Sequence, residues 1–342
     1  MRAYFKNIEI PLILIFLFGI VLSCSNPDDS YTKDISITKI WDITSHDGFT
    51  DLIKFNGSYY CSYSEEYYPY IDSSESIEGI RIIRSKNGKN WESVFFIKKK
   101  GMNIDNSRIS ITPDRQIMII IDGPSYPLVS FSDKKGDVFS DPEPVNIDKT
   151  INSDKERLCK VTWFRGTGYS LFYESDKKKD NISLLKTIDG KNFEKVVKLK
   201  VDGLFDESTL RFDQKGIMYA IINNTEKEKR AIVGISNWPY IKWSYRKVRD
   251  VPENFNYTII NKNIIMVGTG LSDPEMHTGI LIFDKKDITK EIIKIPFFKD
   301  VCFPGILKEP GKLVFTCCSM QDGNPAIYMV KVPVNIIKSN IN

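Results

Sequence analysis

One turn pattern recurs along the chain at a spacing of about 50 residues, which is the length range of propeller repeats. Ser85-Lys-Asn-Gly-Lys-Asn-Trp91 and Thr187-Ile-Asp-Gly-Lys-Asn-Phe193 share a hydroxyl residue, an amide or carboxylate, a glycine and an aromatic residue. Weaker versions begin near Ser132, Ser236 and Phe283. Asn and Asp bond to nearby backbone groups and Gly accepts a positive φ, so each copy is predicted to be a structural turn.

Short strands fill the intervals between these turns. The third interval predicts strands at 159–164, 169–173, 182–186 and 195–199, and the fourth at 208–212, 217–222, 231–235 and 243–248. No long stretch has helical periodicity, so the chain is predicted to be all-β. Four strands in each repeat are typical of a β-propeller blade.

Counting these units predicts a six-bladed β-propeller, with five blades as the alternative. Five units run from Thr50 to Ile295, and a sixth supplies three strands at 301–307, 313–317 and 327–332. The missing strand is predicted at 35–41, because closing the ring with an N-terminal strand leaves no long edge exposed. Asn56-Gly57 is a strong hairpin signal, which makes Asp51 and Glu65 the ends of the first two strands.

The first residues have the features of an export signal. Arg2 and Lys6 precede an apolar run at 10–22 that is shorter than the roughly 20 residues of a membrane-spanning helix. Val21-Leu-Ser-Cys24 resembles a bacterial lipobox, so Cys24 is predicted to be lipidated, with an ordinary secretory signal as the alternative. We expect a signal peptide at 1–23, a tether at 24–33, a propeller at 34–335 and a tail at 336–342, lipid-anchored in the bacterial cell envelope.

Composition argues against several other classes of protein. The net charge is +4, from 48 basic and 44 acidic residues, and the lysines are scattered, so no nucleic-acid partner is expected. His46 and His277 are the two histidines, too few for a multi-histidine metal site. Beyond Cys24 the chain has no CxxC pair, and its remaining cysteines are predicted to be buried thiols, with one disulfide as an alternative. We expect no metal, no cofactor and a monomer.

The repeated turns resemble the Asp-box of the sialidase superfamily of β-propellers. Segments at 46–65, 79–91, 109–114, 161–163, 207–212, 304–305 and 326–331 are similar to a bacterial exo-sialidase-like group of mostly unassigned activity. The resemblance implies a glycan ligand at the central channel, where the inner strand of each blade starts. Hydrolysis there needs a protonated acid and a second carboxylate as nucleophile or base.

Carried onto this chain, the resemblance suggests which residues act. The candidate catalytic residues are Asp51, Glu65 and Glu207. The candidate substrate-binding residues are His46, Arg81, Arg108, Lys160, Trp163, Arg211, Asn254 and Asp300. Structural alternatives stay open: Asp51 and Glu207 could bond to neighbouring backbone, Arg211 could pair with Glu207, Glu65 could be a solvated loop residue, and Trp163 could belong to the core.

Several positions depart from the pattern of the group. Ser64 stands where the group has Arg, Asn106 where it has Asp, and Gln321 where it has His, and the Phe/Tyr-Arg-Ile-Pro motif of sialidases is absent. An amide cannot transfer a proton as a carboxylate does. Two functions therefore stay open: a glycoside hydrolase of unassigned specificity, or a non-catalytic glycan-binding or scaffold lipoprotein. Carboxylates that are all paired with Arg or Lys would favour the second.

Overall fold

The computed structural model describes residues 34–43, 49–67, 77–98, 104–147, 155–175, 180–224, 230–252, 254–272, 276–283, 289–295, 302–320 and 323–341. Within these residues the strands form six small sheets arranged as a propeller. The predicted all-β, six-bladed architecture is confirmed, and the five-bladed alternative is wrong.

Each of the first three blades is built around an antiparallel meander whose first strand lies nearest the ring centre. Blade 1 contains β2 (Thr50–Phe55), β3 (Ser58–Tyr67), β4 (Ile77–Ser85) and β5 (Glu92–Ile97). Blade 2 contains β6 (Asp105–Ile111), β7 (Ile117–Asp122), β8 (Pro127–Phe131) and β9 (Glu143–Pro144). Blade 3 has a divided inner strand, and contains β11 (Lys155–Leu158), β12 (Thr162–Phe164), β13 (Thr167–Ser175), β14 (Asp180–Thr187) and β15 (Asn192–Lys198), with β10 (Asn146–Ile147) added in parallel at its outer edge.

The last three blades repeat this plan. Blade 4 contains β16 (Phe205–Phe212), β17 (Met218–Asn224), β18 (Arg230–Ser236) and β19 (Trp243–Arg249). Blade 5 contains β20 (Asn254–Ile260), β21 (Asn263–Ser272), β22 (Met276–Phe283) and β23 (Thr289–Ile295). Blade 6 contains β24 (Gly305–Glu309), β25 (Lys312–Ser319), β26 (Ala326–Pro333) and, as its outer strand, β1 (Ser36–Asp42).

The N-terminal strand closes the ring, as the sequence predicts. β1 runs antiparallel to β26 from the pair Ser36 and Lys331 to the pair Asp42 and Ala326, with one irregularity between Lys39 and Trp41. The N-terminal strand and the last three strands therefore belong to one hydrogen-bonded sheet, and the outer edge of β26 is covered.

The inner strands form a closed circle. β2 contacts β6 and β24, β12 contacts β6 and β16, and β20 contacts β16 and β24. In an antiparallel meander, the turn between the first and second strands and the turn between the third and fourth lie at the same end. The turn at Asn56-Gly57 and the turn at 86–91 thus share one face of the ring, which we call the lower face. The inner strands start at the opposite, upper face.

Apolar side chains pack in layers between neighbouring blades. Ile82 and Ile97 of blade 1 pack with Ile109 and Ile119 of blade 2 in one buried cluster. All six residues of Ile117–Asp122 are buried, since this strand is covered on both faces. The layers leave the polar strand ends at the upper and lower faces.

The repeated turns have the geometry that their sequences predict. Ser85 Oγ accepts a hydrogen bond from Gly88 N at 2.9 Å, and Thr187 Oγ1 accepts one from Gly190 N at 2.8 Å. The glycines have φ of 72° and 76°. Asp189 Oδ1 accepts bonds from the backbone N–H groups of Lys191 and Asn192, both at 2.8 Å. These turns are structural.

One short helix, α1 (Val334–Ser339), follows the last strand, and its Ile336 and Ile337 are buried. The described part of the chain contains no helix with the length and apolar character needed to cross a bilayer. Cys61, Cys159, Cys302, Cys317 and Cys318 are buried as free thiols, as expected.

Replacing Asp189 with Asn should make the protein less sensitive to acid. Partial burial disfavours the carboxylate, but the bonds from Asn192 and Lys191 outweigh burial and lower the pKa of Asp189 to about 2, from an ordinary 3.8. The stabilisation from this carboxylate is therefore present above pH 3.8 and lost as the pH falls through about 2.

Thermal unfolding between pH 2 and 5 tests this prediction. We expect wild type to lose at most about 1 kcal/mol more than Asp189→Asn over this range, because solvent screens the site. Lys195→Gln, on the same β15 strand, is the control and should follow wild type. Parallel pH profiles for wild type and Asp189→Asn would contradict the assignment.

Candidate functional site

The starts of the inner strands bring charged side chains together at the upper face. The narrow central cavity there is lined by Phe49, Thr50, Asp51, Ser107, Arg108, Lys160, Glu207, Thr209, Asn256 and Phe303. Its volume is about 10 Å³, which is roughly the space that one water molecule needs. Four of the residues predicted from sequence meet here: Asp51, Arg108, Lys160 and Glu207.

Asp51 uses both carboxylate oxygens within the protein. Oδ1 accepts a bond from Lys160 Nζ at 2.7 Å and from the backbone N–H of Leu52 at 2.9 Å. Oδ2 accepts a bond from the backbone N–H of Ile109 at 2.9 Å. Asp51 of blade 1 is thereby tied to blade 2 and to blade 3.

Lys160 is a half-buried cation two residues before β12. Burial lowers the pKa of Lys160, and the neighbouring Asp51 carboxylate partly opposes that shift. The pairing with Asp51 offsets part of the loss of hydration of the two charges.

Arg108 holds two carboxylates from different blades. Its Nε and Nη2 donate to Glu207 of blade 4, both at 2.6 Å, and its Nη1 and Nη2 donate to Asp122 at 2.9 and 3.1 Å. The exposed fractions of the Arg108 and Glu207 side chains are 4% and 6%. The guanidinium also lies over the Phe49 ring, 5.5 Å from its centroid. One cation therefore serves two buried anions at the centre of the ring.

The burial of this group shifts its protonation equilibria. Burial raises the pKa of Glu207, and Arg108 opposes the shift without cancelling it. Burial disfavours the charge on Arg108, but Asp122 and Glu207 outweigh it and raise the pKa of Arg108 well above its usual value. Arg108 therefore stays charged, and Glu207 is the carboxyl that burial pushes towards its protonated form.

Glu65 and Arg81 form a separate pair on the second and third strands of blade 1. Arg81 Nε donates to Glu65 Oε2, and the Tyr63 hydroxyl donates to Glu65 Oε1 at 3.4 Å. Arg81 Nη1 donates to Ser93 Oγ at 2.8 Å. Neither Glu65 nor Arg81 lines the central cavity. Glu65 lies on a strand in an ion pair, so it is not a solvated loop residue.

Arg211 and Trp163 have structural partners. Arg211 donates to the carbonyl oxygens of Tyr257 and Leu210 at 3.0 and 2.8 Å and to Asn256 Oδ1 at 2.9 Å. Its hydrogen bonds thus join blade 4 to blade 5. Trp163 packs against the apolar cluster between blades 2 and 3 and donates from Nε1 to Ser110 Oγ at 3.3 Å.

The remaining predicted residues have other positions. Asn254 is half-buried at the start of β20 and does not line the cavity, whereas Asn256 does. His46, Asp300, Cys24 and Gln321 lie outside the described residues. Ser64 accepts a bond from the Asn106 backbone N–H at 3.0 Å. The Ser64 hydroxyl therefore links blade 1 to blade 2.

Asp122 was missed by the sequence reasoning. It ends β7, the second strand of blade 2, whereas most of the predicted site residues lie near the starts of first strands. An antiparallel second strand returns to the face where the first began. A carboxylate closing the apolar run Ile117–Ile121 was the available signal.

No protein-family model and no curated protein matches this sequence. Solved structures do match. A Dyadobacter fermentans DSM 18053 protein of unknown function aligns with a TM-score of 0.69 and 14% identity, over 87% of this chain and 99% of its own. Trypanosoma rangeli sialidase in complex with sialic acid aligns at 0.63 and 12%, over 89% and 60%. Penicillium chrysogenum α-L-arabinanase complexed with arabinobiose aligns at 0.65 and 13%, over 88% and 98%.

The chain has a divergent sialidase-like propeller fold. It spans about 60% of the length of the Trypanosoma rangeli structure. Identities this low establish the fold alone, and a sialidase and an arabinanase already share it. The activity of this sialidase-like propeller must be argued from its own residues.

Removing the Arg108 guanidinium should destabilise the protein strongly. Arg108→Met leaves Glu207 and Asp122 buried without their cation, and breaking a buried pair in this way costs about 3–5 kcal/mol. Urea denaturation followed by circular dichroism measures the loss. Arg84→Met is the control, because its partners Glu92 and Asp137 are exposed and its loss should stay below about 1 kcal/mol. Equal losses in the two variants would contradict a central role for Arg108.

Proposed function

We propose that this protein is a glycan-binding propeller that does not hydrolyse its ligand. The observation that carries the proposal is the pairing of all three candidate catalytic carboxylates. Asp51 is bonded to Lys160, Glu65 to Arg81 and Glu207 to Arg108. A general acid or nucleophile must reach the substrate, whereas these oxygens accept bonds from cations and other donors of the protein.

Comparison with known structures supports the choice of a glycan as ligand. The Trypanosoma rangeli and Penicillium chrysogenum proteins carry names of glycoside hydrolases, and their structures contain sialic acid and arabinobiose. We assign the ligand to the upper face, where the inner strands start. Phe49 is half-buried there beside the Arg108 guanidinium, and its ring stacks on Phe303 with centroids 4.8 Å apart. We place the sugar at the cavity mouth against this ring.

Hydrolysis is the second candidate, and one observation favours it. Burial raises the pKa of Glu207, which is how enzymes keep a carboxyl protonated for use as a general acid. Glu207 would then have to leave Arg108, and the sugar would need more room than about 10 Å³. Turnover would therefore require opening of the cavity.

Glycan binding and turnover can be measured on the same samples. The full chain is titrated calorimetrically with 3′-sialyllactose and with arabinan oligosaccharides, and incubated with nitrophenyl glycosides. We expect binding of at least one glycan with a Kd below about 1 mM and no release of nitrophenol. Phe49→Ala should weaken binding about tenfold.

One control variant and one test of turnover distinguish the two candidate functions. Phe95→Ala removes another half-buried ring, stacked on Phe139 away from the cavity, and should leave binding unchanged. Product release by wild type that disappears in Glu207→Gln would replace the first candidate with the second. Binding of no glycan in the panel would reject the proposal.

We also propose that the protein is exported and held at the cell envelope by a lipid on Cys24. The support is the order of basic residues, apolar run and cysteine in the first 24 residues. Cys24→Ala should move the protein from the membrane pellet to the soluble or unprocessed fraction and abolish incorporation of labelled palmitate. Cys61→Ala is the control, since that thiol is buried in the propeller. Labelling that persists in Cys24→Ala would refute the anchor.

A further inference from the structure

A second cleft lies on the lower face, between blades 3 and 4. It is lined by the blade 3 hairpin turn and by two turns of blade 4, through residues that include Phe164, Arg165, Lys215, Asn237, Trp238 and Tyr240. Its volume is about 410 Å³, within the roughly 300–1,000 Å³ typical of small-ligand sites. This lower cleft is much larger than the central cavity and shares no lining residue with it.

The floor of the lower cleft is a packed group of aromatic rings. Phe164 stacks on Phe212 with centroids 4.4 Å apart, and Tyr240 meets Phe212 and Tyr169 edge-on at 5.7 and 5.2 Å. The buried Tyr240 donates from its hydroxyl to the Gly216 carbonyl at 3.0 Å. These contacts join the two blades, so the cleft has a preformed base.

Trp238 stands at the rim with its indole in solvent. Its exposed fraction is 78%, although the turn that carries it is well tied. Tyr240 N donates to the Asn237 carbonyl at 2.7 Å, Ser236 Oγ to the Lys242 carbonyl at 2.7 Å, and Trp243 Nε1 to the Tyr240 carbonyl at 3.0 Å. An exposed indole on an ordered turn is a flat apolar platform beside a cavity.

The repeat shows that this indole has replaced a structural residue. Counted from the hydroxyl residue, Asn87 in blade 1 and Asp189 in blade 3 occupy the position of Trp238 in blade 4. Asn87 and Asp189 bond to backbone N–H groups of their own turns. Trp238 makes no such bond, so blade 4 has exchanged a turn-capping side chain for an exposed ring.

Cations flank the platform. Arg165 and Lys215 are both exposed at the cleft, and among the described residues neither takes part in an ion pair. The Arg165 guanidinium lies 5.1 Å from the Phe164 ring centroid. Asp213, the carboxylate of the same turn, accepts bonds from the Lys215 and Ile217 backbone N–H groups at 2.9 and 2.8 Å. The two cations are thus available to an anionic ligand.

We propose that the lower cleft binds an acidic oligosaccharide. The C–H face of one sugar ring stacks on Trp238, and the carboxylate or sulfate of the ligand is bound by Arg165 and Lys215. Asn237, which also lines the cleft, supplies an amide for the sugar hydroxyls. This site does not depend on the central cavity, because its residues belong to the opposite face.

Calorimetric titration of the full chain tests the lower cleft. The probes are an oligogalacturonate hexamer, a chondroitin sulfate hexasaccharide and neutral cellohexaose, which separate carboxylate, sulfate and uncharged sugars. We expect at least one acidic probe to bind with a Kd below about 1 mM, at least tenfold more tightly than cellohexaose. Raising the salt concentration should weaken the binding of the acidic probe, because salt screens the attraction between its anions and the two cations.

Single and double substitutions show whether the acidic probe binds at the lower cleft. Trp238→Ala should weaken the binding of the acidic probe about tenfold or more. The double variant Arg165→Gln with Lys215→Gln should lose the preference for acidic over neutral sugars. Ile188→Ala is the matched control, because Ile188 is 79% exposed on the corresponding turn of blade 3 and should leave the Kd within about twofold. Phe49→Ala, at the central cavity, should also have no effect.

Three results would reject the proposal that the lower cleft binds an acidic oligosaccharide. Failure of both acidic probes to bind, equal affinity for cellohexaose, or unchanged binding by Trp238→Ala would overturn it. A loss of acidic-probe binding in Phe49→Ala but not in Trp238→Ala would place that ligand at the upper face instead. Failure of the upper-face proposal alone would leave these results unaffected.

Discussion

Closure of the ring is the constraint on which the rest of this structure depends. β1 supplies the fourth strand of blade 6, so the first and last strands of the propeller are held in one sheet. Blade 6 is then bonded to blade 1, where Thr50 Oγ1 donates to the Phe303 carbonyl at 3.2 Å and accepts from Gly305 N at 3.1 Å. Because the ring is closed, every inner strand has neighbours on both sides, and the strand starts converge at the upper face.

That convergence creates an electrostatic problem, since several carboxylates meet where little water is available. Lys160 and Arg108 offset the charge by bonding to carboxylates from other blades. The same bonds join blades 1, 2, 3 and 4 across the centre. Charges used in this way stabilise the ring, but they are not available as acid or nucleophile. This conflict between holding the ring together and doing chemistry is why we favour binding over hydrolysis at the upper face.

The two faces of the propeller differ in what they offer a ligand. At the upper face the charged groups bond mainly to one another, and the cavity among them is narrow. At the lower face, blade 4 places Trp238 where blades 1 and 3 place turn-capping side chains, and the cleft beside it is open. A repeat can tolerate such a replacement, because the other hydrogen bonds of the blade 4 turn still hold it. The blade 4 turn can therefore carry a side chain for ligand binding at a position that blades 1 and 3 use to cap the turn.

By itself the sequence determined the class and the closing strand and favoured six blades over five, because these follow from local signals that repeat about every 50 residues. The resemblance to sialidase-superfamily propellers placed Asp51, Arg108, Lys160 and Glu207, among other candidates, near the starts of inner strands, and the structure brings these four together. The partners of these residues were decided by the tertiary structure. The pairing of Arg108 with Asp122 and Glu207, of Glu65 with Arg81, and of Arg211 with blade 5 carbonyls depends on side-chain geometry across strands and blades. Strand periodicity determines which end of a blade a residue occupies, but packing between blades determines what it touches.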